Sequence, residues 1–372
     1  MAKKFLIIHL VANGDCLMVT TIARQIKEDN PGCHVTWAIS YTCKQVIENN
    51  PFVDRIWEVK YEQSESPFAE VWYKVKQEAQ ARMLAGEFDQ IVSTQMFPDN
   101  TYNFDGTTRS SAFRGYNKKI TVPVTPVMVL YKEEVDRVKK FAAENELQKY
   151  RHVILCECAP GSGQSFLTSG LMIAIAAKIV NDNPDIIFII STHKKNMTES
   201  KQIIDASVLS YRENAELSKY CTLLIGCSSG ISWLLTSDWA KKIPAIQFLD
   251  NSKKAFQFAG LKYDFKYWGL PHDHIIESSN SDPLMMQTII TTCINNFEEG
   301  KKYGEDLFPD LQMLEQFLNN YFKFRQLFKI LKAIKNFVVR NKIKWWRYGE
   351  ILFIMIKGLF QFMAKRILLL AK

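Results

Sequence analysis

The strongest constraint on this chain is a rhythm that runs once and then restarts. Short apolar runs alternate with stretches of helical spacing: "KFLIIHLV" (4–11), a helix near 16–29, "HVTWAIS" (34–40), a short helix near 42–49, "VDRIWEV" (53–59), a long helix near 67–85 and "FDQIVSTQ" (88–95). From residue 152 the pattern begins again with "HVILCECA" (152–159), a helix to about 181, "DIIFIIST" (185–192), "CTLLIG" (221–226) and "IPAIQFLD" (243–250). Buried strands joined by amphipathic helices form parallel sheets, because parallel neighbours need a crossover. At 372 residues the chain exceeds the ~250–300 at which single cores stop growing. Two doubly wound α/β domains facing one another are therefore expected, 1–150 and 151–310, followed by a tail, 311–372. "TVPVTPVMVL" (121–130), with two prolines, reads as an extended connection, and a helix at 132–147 closes the first unit. Residues 97–120, polar and rich in Asn, Thr and Arg, read as an exposed loop facing a cleft.

Ligands of such sheets bind beyond the carboxyl ends of the strands. Three polar turns fall there. "ANGD" (12–15) follows the first strand and places Asp15, flanked by Asn13 and Gly14, where a helix begins. An aspartate at that point is either a helix cap or a base. "APGSGQS" (159–165) supplies Gly161, Ser162, Gly163 and Gln164. "CSSGIS" (227–232) supplies Ser228, Ser229 and Gly230. Small residues before a helix let backbone N–H groups approach a phosphate, although each turn also fits a plain serine-capped bend. Neither is a P-loop nor a dinucleotide fingerprint. Lys194, in "STHKKN" after a strand, is a candidate for phosphate charge or a solvated loop residue. Glu213 is a candidate ribose ligand or a helix-capping acid. "PHDH" (271–274) has no standard metal spacing.

Charge is divided unevenly. Residues 323–372 hold 13 Lys or Arg against Glu350 alone, whereas the preceding residues hold 34 basic and 38 acidic side chains. A mildly acidic body is not a nucleic-acid groove. In the tail, Trp345 and Trp346 suit a headgroup boundary, with Lys342, Lys344 and Arg347 beside them, and the apolar run after Ile351 is broken by Lys357, Lys365 and Arg366. A basic amphipathic helical anchor on an anionic membrane surface is the expectation; helices that pack back onto the body or form an oligomer are the alternative. The apolar start "FLIIHLV" is too short for a signal peptide and reads as a first strand, so a cytoplasmic protein at the inner face of the cytoplasmic membrane is expected. Eight cysteines without CxxC pairs, Cys156 and Cys158 among them, read as buried thiols.

The blocks "GDCLMVTTIARQIKEDNPGCHVTWAIS…ENNPFVDRIWEV", "APGSG" and "ELSKYCTLLIGCSSGISWLL…KIPAIQFLD" resemble, in order and spacing over roughly residues 1–300, glycosyltransferase family 9, the heptosyltransferases of lipopolysaccharide assembly. The resemblance implies a GT-B fold, a donor nucleotide on the second domain, and inverting, metal-independent transfer of heptose or another sugar from a nucleotide sugar to a lipid-linked or lipopolysaccharide-type acceptor. It gives Asp15 the part of the base and implies no cofactor beyond the nucleotide-sugar co-substrate. Family members usually carry a lysine and a Trp-Pro pair where this chain has Gln164-Ser165-Phe166-Leu167. They usually carry Asn-Asp-Thr-Gly and a histidine where it has Cys227-Ser228-Ser229-Gly230 and Trp233. The serines resemble those of GT-B enzymes that use CMP-activated sugars. A catalytically inactive GT-B scaffold that binds a nucleotide sugar or glycan is the alternative.

Overall fold

Neighbouring residues of the first strand point into different cores. In a computed structural model that describes residues 2–61, 67–158, 161, 163–196, 198–251, 260–323 and 329–370 (side chains of 320–323 and 361–370 excepted), Phe5 and Ile7 enter one apolar cluster while Leu6 and Ile8 enter another. That alternation is the strand period of two with both faces covered. The strand is β1 (Lys4–Ile8). It is followed by α1 (Asn13–Asp29), β2 (His34–Ser40), β3 (Arg55–Val59), α2 (Phe68–Leu84), β4 (Gln90–Ser93), α3 (Thr108–Phe113) and α4 (Lys132–Glu144). The sheet is parallel, in the order β3-β2-β1-β4.

The second unit comprises β5 (His152–Glu157), α5 (Ser169–Asn181), β6 (Ile186–Ser191), β7 (Ile203–Asp205), α6 (Glu213–Leu217), β8 (Leu223–Gly226), α7 (Gly230–Leu234), β9 (Ala245–Phe248), α8 (Leu261–Trp268), β10 (Ile275–Ser278), α9 (Pro283–Asn295) and α10 (Phe297–Gly300). Its parallel order, β10-β9-β8-β5-β6-β7, is the Rossmann order 3-2-1-4-5-6 counted within the domain. The strand order therefore reverses between β1 and β4 in the first domain and between β5 and β8 in the second. Val153 and Leu155 of β5 join the same cluster as Phe5 and Ile7, so the inward faces of both sheets share one continuous core. This is the two-domain GT-B architecture expected from the sequence.

Buried ionic contacts lock the seam. The Arg212 guanidinium, 2% exposed, pairs with Glu134 of α4 at 2.7 Å and donates to the carbonyls of Gln45, Glu48 and Val129. Arg109 of α3 meets Asp264 of α8 at 3.0 Å with both side chains buried. α4, expected to close the first unit, lies instead against α6 of the second through Arg212–Glu134 and Arg137–Glu213.

Two sequence expectations are corrected. Residues 97–120 are not an exposed loop: Asn100, Thr101, Asn103, Asp105, Arg109, Ser110 and Ser111 are buried. Local bonds replace water there: Asp105 accepts from the Thr107 N–H and hydroxyl and pairs with Arg114 at 2.7 Å. The covering element is the tail, which is not a free appendage. In α11 (Leu311–Lys323) and α12 (Ile330–Arg340), Leu314, Phe317, Ala333 and Phe337 close over Phe104, whose ring stacks on Phe317 at 3.7 Å. Asn336 donates to the Tyr102 carbonyl, Lys329 pairs with Asp99, and Arg340 lies 3.1 Å above the Tyr267 ring. Phe324, Leu327 and Phe328, which share the apolar spacing, lie outside the described residues.

The last helix, α13 (Tyr348–Leu370), buries Ile351 and Ile354 and exposes Leu352, Phe353, Ile356, Leu359 and Phe360. Trp345 and Trp346 are 76% and 63% exposed, Lys342 and Lys344 are exposed beside them, and Arg347 pairs with Glu350 at 2.9 Å. Among the described residues no helix is long and apolar enough to cross a membrane.

Candidate active site

The carboxyl edges of β1 and β5 meet at the first turns of α1 and α7. Gln95, just beyond β4, accepts from the Leu10 and Val11 N–H groups at 2.9 and 3.2 Å and so fixes the exit from β1. Ala12 then turns with φ 72°, a left-handed conformation that costs a residue with a Cβ about 1–2 kcal/mol, and α1 begins at Asn13. Backbone strain of this kind concentrates at functional turns. A Cβ on Gly14 would lie 3.3 Å from Trp233 Cδ1 of α7, so this glycine permits the close approach of the two domains.

Asp15 falls in the first turn of α1, but it is not a cap: the N-cap position is Ala12 and no side chain caps the helix. Among the described residues no donor bonds its carboxylate. Removal from water pushes its pKa from 3.8 up to about 7, against the helix N-terminus, which favours the charged form. A carboxylate with that affinity holds and releases a proton near neutrality. Beside it, the Asn13 Oδ1 is buried with no hydrogen bond among the described residues. His9, one residue beyond β1, bonds Thr94 through Nδ1 at 2.9 Å, and burial pushes its pKa down to about 3, so its ring is neutral.

The donor-side turns are joined to each other. The Gln164 amide donates to the Ser228 carbonyl at 3.0 Å, linking 161–165 to 227–230. Ser228 has φ 52°, and its N–H donates to Gln247 Oε1 of β9 at 2.6 Å. Tyr211 donates to the Gly230 carbonyl at 2.9 Å, and its ring lies 3.1 Å from where a Cβ on Gly230 would sit. Gly161, Gly163, Ser229 and Gly230 line this edge, and among the described residues no hydrogen bond involves the hydroxyls of Ser228 and Ser229. Ser162 lies outside the described residues.

The sequence missed what holds α7 in place. Glu157, the last residue of β5, is buried and accepts from the Ile231 N–H (2.6 Å), the Ser232 N–H (3.1 Å), the Ser232 hydroxyl (2.5 Å) and the Cys227 N–H (3.4 Å). Two of the N–H groups expected to cradle a phosphate are thus satisfied from within the protein. The signal for this was an acidic residue at an inward position of an apolar strand, in "HVILCE". Glu213 is also corrected. It is buried, its carboxylate accepts from Arg137 Nε at 2.5 Å and from the Ser210 N–H at 2.6 Å, and it serves the start of α6 and the α4 contact rather than a ribose. Lys194 is exposed on the turn after β6, neighbour to β5, and its ammonium has no partner among the described residues. All eight cysteines are free and buried. Among the described residues no group of three His, Cys, Asp or Glu is placed to hold a metal ion.

No protein-family model and no curated protein matches the chain. Solved structures do. A glycosyl transferase family 9 structure from Veillonella parvula DSM 2008 aligns with TM-score 0.50 at 12% identity, covering 81% of this chain and 96% of that one. The ADP-heptose LPS heptosyltransferase II of E. coli aligns with TM-score 0.52 at 12% identity, covering 79% and 99%. A putative UDP-N-acetylglucosamine 2-epimerase from Listeria monocytogenes aligns with TM-score 0.50 at 11% identity, covering 88% and 98%. At such identities the likeness is one of fold.

Proposed function

We propose that this protein is an inverting glycosyltransferase that moves a sugar from a nucleotide-activated donor to a lipid-linked or lipopolysaccharide-type acceptor of the cell envelope. The observation that carries the proposal is Asp15: a carboxylate without a partner among the described residues, at the strand-order reversal of the first domain and next to Gly14, which packs on Trp233 of the second, with its proton affinity raised to about 7. The acceptor hydroxyl oxygen attacks the anomeric carbon while Asp15 takes its proton. The bond from that carbon to the nucleotide phosphate breaks on the opposite face. A base positioned in this way contributes about 10²–10⁴-fold. The Ser228 and Ser229 hydroxyls and Lys194 are the groups available to the departing phosphate, and in this reading the reaction needs no metal.

The exposed stripe of α13 with Trp345 and Trp346 supports a further part of the reading. Its apolar face, with Lys342 and Lys344 beside it, suits the headgroup region of an anionic bilayer, each basic residue adding about 1 kcal/mol. A cytoplasmic enzyme held at the inner face of the membrane would meet a lipid-borne acceptor there.

The test is nucleotide release from ADP-, UDP-, GDP- and CMP-sugars, with and without lipid-linked acceptor, by the parent protein and Asp15→Asn. Acceptor-dependent release that disappears in the variant supports transfer. Donor binding without turnover in either protein identifies a scaffold, the outcome that Glu157's hold on the α7 N–H groups favours. Sugar epimerisation without acceptor refutes transfer.

A further inference from the structure

Two thiols meet beside the candidate base. Cys16 follows Asp15 in the first turn of α1, and Cys43 ends the turn that leaves β2, its N–H donating to the Ser40 carbonyl at 2.9 Å. Both turns lie at the carboxyl edge of the first sheet, because β1 and β2 run parallel side by side. The Cys16 thiol faces two acceptors, the Val11 carbonyl at 3.6 Å and the Cys43 sulfur. The Cys43 sulfur in turn is approached by three donors. They are the Cys16 thiol, the Thr42 hydroxyl at 3.9 Å and the N–H of Ala12, the residue whose φ of 72° opens α1.

This arrangement makes the pair unequal. Donors directed at one sulfur stabilise its thiolate, and the bond from Cys16 leads those that hold the Cys43 proton affinity below the usual thiol value despite burial. Cys16 itself is pushed up, first by burial and then by its contact with Cys43. The six remaining cysteines are pushed up as well, each chiefly by burial. Cys43 alone of the eight therefore favours the nucleophilic form. Asp15 and Tyr211 are the other titratable groups near the pair; the Asp15 charge opposes a thiolate at either sulfur, and burial keeps the Tyr211 phenol neutral. Cys43 is 6% exposed next to the exposed Tyr41 and Thr42, which gives a small oxidant a short approach, whereas Cys16 is fully buried.

We propose that Cys43 and Cys16 form a peroxide-responsive disulfide, Cys43 being the sulfur that is oxidised and Cys16 the one that resolves it. The Cys43 thiolate attacks one oxygen of hydrogen peroxide and the O–O bond breaks. The departing hydroxide takes up the proton that Cys43 gave up and leaves as water, and Cys43 becomes a sulfenic acid. The Cys16 sulfur then attacks the Cys43 sulfur, the S–O bond breaks, and the released hydroxide leaves as water with the Cys16 proton. In all, two thiols lose two electrons and two protons, and one hydrogen peroxide becomes two waters. In a reducing compartment such a bond is transient and reports the oxidant. Closing it draws the first turn of α1, which carries Asp15, towards the turn after β2 and takes the thiolate acceptor from the Ala12 N–H. The effect on turnover rests on the transferase reading; the bond itself does not.

The folded full-length protein is treated with hydrogen peroxide, its remaining thiols are alkylated after unfolding, and unreduced peptides are mapped by mass spectrometry. A Cys16–Cys43 cross-link that dithiothreitol removes is expected, with Cys43 oxidised at least about tenfold faster than any of the six cysteines outside the pair. In urea that preference should vanish, because the donors to the Cys43 sulfur disperse. Cys16→Ala should stop at a Cys43 sulfenic acid that dimedone traps, and Cys43→Ala should leave Cys16 reduced. If either variant does not fold, the parent's peptide map and its urea control still decide. Oxidation spread evenly over the cysteines, no Cys16–Cys43 cross-link at millimolar peroxide, or the same selectivity in urea overturns the proposal. The cross-linked protein should also lose acceptor-dependent nucleotide release and regain it with dithiothreitol. Undiminished release from it refutes the link to Asp15, whereas a reduced protein that releases no nucleotide counts against the transferase reading and leaves the peptide map to decide the disulfide.

Discussion

Replacing Asp15 with asparagine should make the protein more stable and less active, and the pH dependence of the gain identifies the cause. The folded-state pKa is raised from 3.8 to about 7 because burial disfavours the charge. Between those values the folded chain binds more protons than the unfolded chain, so its stability falls as pH rises through this window and levels off above about 7. A shift of about three units at 1.36 kcal/mol each sets a ceiling near ~4 kcal/mol, reduced in practice because the carboxylate still touches solvent. Asparagine carries no such cost. Urea unfolding of both proteins at pH 4 and pH 8 should give nearly equal stabilities at pH 4, with the variant ahead by roughly 1–4 kcal/mol at pH 8. In the same proteins, transfer should fall about 10²–10⁴-fold, and parent kcat/KM should drop about tenfold for each pH unit below 7. A pH-independent gain, or a destabilised variant, would refute the claim that Asp15 is desolvated; unchanged turnover would refute its part as base.

Glu157→Ala should cost about 3 kcal/mol or more, since the Ile231 and Ser232 N–H groups are left buried without acceptors, and should weaken donor binding as the 227–230 turn loosens; thermal unfolding and nucleotide-sugar titration measure both. Phe337→Ala, deep in the cluster that fixes the tail on Phe104, should lose about 3–5 kcal/mol in urea unfolding, whereas a detachable tail would lose almost none. Trp345→Ala with Trp346→Ala should reduce flotation with anionic liposomes while leaving the unfolding temperature unchanged, because both rings are mostly exposed. Flotation should also weaken as salt is raised, and undiminished flotation of the double variant would show that these tryptophans do not anchor the protein.

The two sheets were readable because their information is local. Apolar runs such as "KFLIIHL" and "HVILC" show their period without reference to anything distant, and the turns that follow them carry their own small residues. Two strands, β7 and β10, escaped notice; β7, at three residues the shortest of the ten among the described residues, carries too little periodicity to be read. Asp15 was found for the same local reason: a carboxylate directly after a buried strand. Its unpartnered state was not readable, because that depends on what α1 and α7 exclude when they meet.

Residue types and their spacing alone determined the parallel α/β units, the positions of their polar turns and the concentration of positive charge after residue 322. Tertiary structure decided how each polar group is used. Glu213 and Glu157 became internal acceptors, residues 97–120 were covered by α11 and α12, and Arg109 was paired with Asp264. The physical reason is that periodicity records which side of an element avoids water. Proton affinity and hydrogen-bond supply are set by the few groups that long-range packing brings within 3 Å, and those lie 70 to 230 residues apart in this chain.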